Sequence, residues 1–310
     1  MSVPTEPSGL RVAVMGAGAV GCYFGGMLGR AGAEVTLIGR PAHVEAIRRD
    51  GLRMDSVHFQ ESVRISAVTS ADAVRHADLI LFCVKTLDTA QAARDIAPHL
   101  QPGVIIVSLQ NGVENVEEMH AAAGLEAIPA VVYVAASMPA AGVVKHAGRG
   151  DLVIGHASRQ EDVARVARWF SGAAVPCRIS ENIEADLWTK LIWNCAGNAV
   201  TALARASYGQ TARNDLAWEM VTAVAQEAIA VARAAGVVLP PMDLIAGARK
   251  LAMDLGDATS STSQDVRRGK RTEIDALNGV IVRRGKQLGV PTPVNHTLYA
   301  LVKLLEESLS

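Results

Sequence analysis

Four short runs of apolar, β-branched residues punctuate the first third of the chain, at 12–15, 34–38, 79–84 and 104–107, with helical patterns between most of them. Runs that are apolar at nearly every position suit strands buried on both faces, and crossovers of this length join parallel neighbours. This part of the chain therefore reads as an α/β domain with a doubly wound parallel sheet. The first run passes straight into Gly16-Ala17-Gly18-Ala19-Val20-Gly21, which opens a helix, and the second run follows at Glu34. A bare G-x-G-x-x-G is weak, since a close-packed glycine turn satisfies it equally. Inside a complete strand, helix and strand frame it marks a dinucleotide site. Gly16 permits the tight turn, Gly18 lets the backbone approach a pyrophosphate, and Gly21 lets the helix close on the sheet, aiming the helix N-terminus at the phosphates. Gly16, Ala17, Gly18, Ala19, Val20 and Gly21 are the candidate cofactor contacts of this turn.

The end of the second run separates the two nicotinamide cofactors, because an acidic residue there would hydrogen-bond the ribose of NAD and repel a 2′-phosphate. The sequence is Ile38-Gly39-Arg40, with no carboxylate and with a guanidinium able to grip a phosphate by two bonds. A solvated loop arginine would look the same, but the pattern favours NADP, and Gly39 removes one possible clash.

Residues 52–68 alternate in polarity and suggest a pair of antiparallel strands. Beyond 128 only short strands are expected, at 143–145 and 152–154, with a helix near 162–170. From Asn182 the strand-like runs give way to helical patterns broken near Gly236, Gly256, Gly269 and Gly289, so the second domain reads as all-helical. The boundaries that follow are 1–181 for the Rossmann, NADP-binding domain and 182–310 for a helical domain. A net charge of −1 and 4% aromatic residues leave nothing from which to build a nucleic-acid surface. The four cysteines lack metal-ligand spacing and are expected reduced and buried, with no metal required. Glycines or prolines interrupt both long uncharged stretches, and the first residues lack a basic n-region, so neither a membrane span nor a signal peptide is expected. These features suggest a cytoplasmic protein whose residues 1 to about 9 form a disordered leader.

Chemistry must come from the helical half. Within 185–198, Lys190, Asn194 and Asn198 recur at i, i+4 and i+8 and fall within roughly 80° of one another on a helix. A lone mid-helix lysine is ordinarily a surface residue. Flanked by two amides among tryptophans and leucines, it suggests a polar stripe facing a cleft, where desolvation would make it a better proton donor near neutral pH. Further on, Ser260-Ser261-Thr262-Ser263-Gln264-Asp265 precedes Gly269-Lys270-Arg271-Thr272-Glu273-Ile274-Asp275. Serines and Thr272 make good helix caps, which is an alternative to a functional role. A straight helix would hold Ser261 and Glu273 about 18 Å apart, so a shared site requires a turn at Gly269. Gln110-Asn111-Gly112 ends the fourth run, at the strand edge where open α/β sheets bind ligands, although Asn-Gly also suits a plain turn.

Taken in order, the glycine turn, Val84-Lys85-Thr86, Gln110-Asn111-Gly112, Leu187-Trp188-x-Lys190-Leu191 with Asn194 and Asn198, Ser261 through Gln264-Asp265 to Thr272-Glu273-Ile274-Asp275, and Asn278-Gly279 resemble the ketopantoate reductases over nearly the whole chain. The resemblance implies NADPH-dependent reduction of ketopantoate, a 2-oxo acid, to pantoate. It implies Lys190 as general acid and Glu273 as the residue that holds substrate and places that lysine. It also implies Asn111, Asn194, Asn198 and Ser261 along the substrate, with Asn111 touching the cofactor too, and Arg40 and Lys85 at the 2′-phosphate, in a cleft between the domains. A reductase of another 2-oxo acid fits the same residues, as does, less well, a dinucleotide-binding protein without catalysis. Trp193 beside Asn194 leaves the shape of the pocket open. Either a homodimer or a monomer agrees with the resemblance.

Overall fold

In the computed structural model the described residues are 7–308, and the chain divides into two compact units between Ile183 and Glu184. Residues 1–6 of the expected leader lie outside the described residues. Pro7 does not belong to a leader: it is buried, and its carbonyl accepts the Leu10 N–H at 3.0 Å in a turn that leads into the first strand.

Unit 1 begins with β1 (Arg11–Met15), α1 (Ala19–Arg30), β2 (Glu34–Ile38) and α2 (Pro41–Asp50), followed by β3 (Leu52–Ser56), β4 (Gln60–Val63) and β5 (Ser66–Val68). It continues with β6 (Leu79–Phe82), α3 (Thr89–Ile96), β7 (Ile105–Ser108), α4 (Asn115–Ala123), the hairpin of β8 (Ile128–Ala140) and β9 (Val143–Ile154), α5 (Gln160–Gly172) and β10 (Cys177–Ile179). The described strands form one ten-stranded sheet in the order β4-β3-β9-β8-β7-β6-β1-β2-β5, with β10 alongside β9. From β5 to β8 every pairing is parallel, as in a Rossmann domain. Chain order runs outward from β1 in both directions, so the switch point lies at the carboxyl ends of β1 and β6.

β6 shows why its sequence is apolar throughout. Leu79 and Leu81 belong to the core that also holds Phe24 and Leu28 of α1 and Val163 and Trp169 of α5, whereas Ile80 and Phe82 belong to the core on the other face, with Ala93, Ile96 and Met119. With period two and helices on both sides, no position is left for a polar residue.

Two expectations need correction. Residues 52–68 do contain an antiparallel pair, Leu52 opposite Val63, but a third strand, β5, joins β2 in parallel. The short strands expected at 143–145 and 152–154 are the two ends of one strand, β9, paired along β8. Its middle was hidden by a bulged segment in which Gly148, Arg149 and Gly150 take φ of +151°, +54° and +140°, breaking both the register and the two-residue alternation.

The described part of unit 2 is helical: α6 (Ile183–Ala204), α7 (Tyr208–Arg213), α8 (Asp215–Ala234), α9 (Leu244–Leu255), α10 (Ser261–Arg267), α11 (Asn278–Leu288) and α12 (Pro293–Glu307). Gly256, Gly269 and Gly289 stop α9, α10 and α11 with φ of +53°, +60° and +69°, a conformation from which a helix does not continue. Among the described residues no helix is long and apolar enough to cross a membrane.

Candidate active site

In unit 1 the glycine turn occupies the switch point. Ile38 O, at the end of β2, accepts the N–H groups of Gly16 and Ala17 at 3.0 Å each. Gly16 has φ +113°, and a Cβ there would stand 2.7 Å from the Cys83 carbonyl carbon, so the turn lies directly on the chain leaving β6. α1 follows with Gly18 as its N-cap and no side-chain capping bond. Among the described residues, no backbone acceptor takes the N–H groups of Ala19, Val20 or Gly21. Beside them, a Cβ on Gly18 would meet nothing within 4 Å. Unpaired donors at the start of a twelve-residue helix, with open space before them, fit a pyrophosphate.

The flanking candidates are built into the same edge. Gly39 is required, since a Cβ on it would lie 2.6 Å from the Ala17 Cβ, and it delivers Arg40 to the N-cap of α2 with an exposed side chain. On the other side of β1, Lys85 is half-buried, and the Thr86 hydroxyl donates to Asn111 O at 3.2 Å. Gln110 is a brace for this loop: its amide nitrogen donates to Val84 O at 3.1 Å and to the Thr89 hydroxyl at 2.7 Å, and its oxygen accepts from Ser108 at 3.1 Å. Asn111 O also accepts from the Asn115 amide at 2.7 Å, so the Asn111 carbonyl is held by two donors. Unit 1 thus groups Arg40, the glycine turn, Lys85 and Asn111 on one sheet edge.

In unit 2, α6 carries the polar stripe, with Lys190 and Asn194 half-buried and Asn198 buried. The Trp193 indole N–H donates to Leu244 O at 3.0 Å and its ring lies against Gly247, so this tryptophan belongs to the packing of α6 on α9. Capping of α10 falls to Ser260, whose Oγ accepts the Ser263 N–H at 3.0 Å and the Thr201 hydroxyl at 2.8 Å while donating to Asn198 O at 3.2 Å. Ser261 is therefore not the cap. It is exposed, one residue from the direct link between α10 and Asn198. The straight helix that would hold Ser261 and Glu273 apart is interrupted, because α10 stops at Arg267 and Gly269 follows with φ +60°. Thr272 caps no long helix: it is buried, its N–H and hydroxyl both donate to a Glu306 oxygen at 2.6 Å, and its oxygen accepts the Ile274 N–H. Glu273 follows it, half-buried, and the region returns to the middle of α6 through the Asn278 amide, which donates to Cys195 O at 3.3 Å.

Tyr208 is absent from the expected set and contacts it directly. Its hydroxyl donates to Asn198 Oδ1 at 2.9 Å, and burial pushes its pKa well above the ordinary phenol range. Only the capping box of Ser207 and Gln210 marks this segment in the sequence, and it signals a helix start rather than a site. All four cysteines are unpaired, Cys22 and Cys195 buried and Cys83 and Cys177 half-buried. Burial raises the thiols of Cys22 and Cys177 to about 12, which leaves them no thiolate chemistry near neutral pH.

Comparison with known proteins covers both units. Residues 12–159 match the family model "Ketopantoate reductase PanE/ApbA" and residues 182–306 match its C-terminal counterpart. A 2-dehydropantoate 2-reductase of Pyrococcus abyssi is 33% identical over 298 residues, 95% of this chain and 97% of the relative. A PanE/ApbA family ketopantoate reductase structure from Ralstonia eutropha is 48% identical with a TM-score of 0.91, covering 97% of this chain and 99% of its own. A D-mandelate dehydrogenase solved with NADH and anilino(oxo)acetate, 26% identical over 97% of this chain and 99% of its own, also reaches 0.91. With both family models matched in order and curated relatives aligned from end to end, the chain belongs to the ketopantoate reductase family of dinucleotide-binding oxidoreductases.

Proposed function

We propose that the protein reduces the 2-oxo group of 2-dehydropantoate to the alcohol, giving pantoate, with NADPH as cofactor and Lys190 as general acid. The observation that carries this is the α6 stripe: Lys190, Asn194 and Asn198 lie on one helix, with the start of α10 bonded to Asn198 and the segment after Glu273 bonded to Cys195. NADPH supplies the hydride when bound. As negative charge builds on the carbonyl oxygen, an ammonium at Lys190 stabilises it and delivers the proton, and Glu273 holds substrate and lysine in place. Asn111, Asn194, Asn198 and Ser261 offer neutral hydrogen bonds to the remaining oxygens. For the cofactor, the Gly16–Gly21 turn takes the pyrophosphate. Arg40 and Lys85 take the 2′-phosphate, a choice supported by the exposed guanidinium and the missing carboxylate at the end of β2. Working as a homodimer in the cytoplasm completes the reading.

A second reading, reduction of a different 2-oxo acid, is favoured by the likeness to the D-mandelate dehydrogenase. One experiment separates the two: oxidation of NADPH, with NADH as control, on 2-dehydropantoate and on a panel of other 2-oxo acids. Fast NADPH-selective turnover of 2-dehydropantoate supports the proposal, and turnover confined to another acid replaces it. Lys190→Ala should lower kcat by about 10²–10⁴-fold with NADPH binding intact, and an unchanged rate would discard Lys190 as the acid.

A further inference from the structure

Asn198 is the most deeply set of the three stripe residues, 2% exposed, and it is held at two points. Its main-chain oxygen accepts from Ser260, and its side-chain oxygen accepts from Tyr208. Among the described residues no group takes its Nδ2. A side-chain amide has an acceptor end and a donor end of nearly equal shape, and only its partners decide which faces inward. The Tyr208 hydroxyl has no other acceptor among the described residues, so its buried proton goes to the amide oxygen and turns the N–H₂ the other way.

The tyrosine is itself fixed. Its N–H donates to Ala258 O at 3.1 Å, Ser207 and Gln210 close a capping box around the start of α7, and its ring lies where Gly197 leaves room, since a Cβ on Gly197 would be 2.9 Å from the ring. A glycine in the middle of α6 lowers helix propensity by about 1 kcal/mol relative to alanine, and here it admits the ring that orients the neighbouring residue.

We propose that Tyr208 is a positioning residue: it fixes the Asn198 amide so that Nδ2–H, and not the amide oxygen, is offered to an acceptor oxygen of the 2-oxo acid. This rests on Asn198 being a substrate contact, as put forward above. With Lys190 it makes the α6 stripe a row of donors, suited to an anionic, oxygen-rich substrate.

The test uses the full chain, the 2-oxo acid that turns over fastest, and the variants Tyr208→Phe, Asn198→Ala, their double and Asn198→Asp. KM, kcat and the NADPH Kd are read for each. Losing the anchoring bond in Tyr208→Phe should raise KM about five- to tenfold, with kcat changed less and NADPH Kd unchanged. Asn198→Ala should raise KM at least as far, and adding Tyr208→Phe to it should change KM by less than about twofold, because the tyrosine acts only through the amide. Asn198→Asp keeps an acceptor for Tyr208 but offers the substrate an anionic oxygen, so KM should rise as far as in Asn198→Ala or further. Wild-type KM in Tyr208→Phe alongside a raised KM in Asn198→Ala overturns the role of Tyr208, and wild-type KM in Asn198→Asp overturns the orientation. The aspartate variant decides alone if Tyr208→Phe does not fold. Wild-type KM in Asn198→Ala removes Asn198 from the substrate site and the positioning role with it.

Discussion

Gly21→Ala and Gly18→Ala look alike in the sequence and should behave oppositely. On propensity alone, alanine in the first turn of α1 would stabilise by about 1 kcal/mol. A Cβ at position 21, however, would stand 2.1 Å from Gly16 O and 2.8 Å from a Val14 methyl, inside the 3.0 Å that Cβ atoms essentially never cross. The obstacle is backbone already bound into the turn, so overpacking of about 3 kcal/mol outweighs the propensity gain. The net loss of about 2 kcal/mol should lower the melting temperature of unit 1 by roughly 4–8 °C. At position 18 the backbone has φ −87° and ψ −170°, and a Cβ meets nothing within 4 Å. Gly18→Ala gives up a favoured N-cap residue, about 0.5–1 kcal/mol, and should lower the melting temperature by only about 1–4 °C, yet its methyl enters the space assigned to the pyrophosphate and should weaken NADPH binding about tenfold or more. Thermal unfolding and NADPH titration of both variants check this. Unchanged melting of Gly21→Ala refutes the close approach, and NADPH affinity within twofold of wild type in Gly18→Ala refutes the phosphate site.

Arg40→Glu should move cofactor preference toward NADH, read as the ratio of kcat/KM for the two cofactors; an unchanged ratio makes Arg40 a bystander. Burial raises the Asp275 carboxyl, but hydrogen bonds from Tyr299 at 2.6 Å and Lys303 at 2.9 Å outweigh it and hold the pKa below its ordinary value. Its contribution to stability is then fully present above the ordinary carboxylate value and is lost as pH falls through the depressed one. Asp275→Asn should flatten the acid limb of stability against pH, and equal acid limbs in variant and wild type would count against the pairing.

The β1-α1-β2 frame was legible because each of its features is local: an apolar run, glycines at fixed offsets, a second run at helical distance. β9 was not, because Gly148, Arg149 and Gly150 interrupt the alternation and only pairing with β8 reveals one strand. Lys190, Asn194 and Asn198 share a helix face by spacing alone, whereas their supports, Ser260 and Tyr208, come from 62 and 10 residues away and are defined by tertiary contact. The capping expectation at 260–263 came down to a single residue: Ser260 caps, Ser261 does not, and composition cannot divide such neighbours.

The place of β3 in the sheet has a consequence in time. Arg53 pairs with Val143, and among the described residues β3 has no other parallel partner, so this strand leaves the ribosome long before its neighbour exists. At synthesis rates of about 5–20 residues per second, the hairpin of β3 and β4 waits on the order of 5–20 s with an edge open. That edge, on β3, is only five residues long and carries the exposed Arg53 and the half-buried Asp55, charges that discourage pairing with a foreign strand while the correct one is still being made.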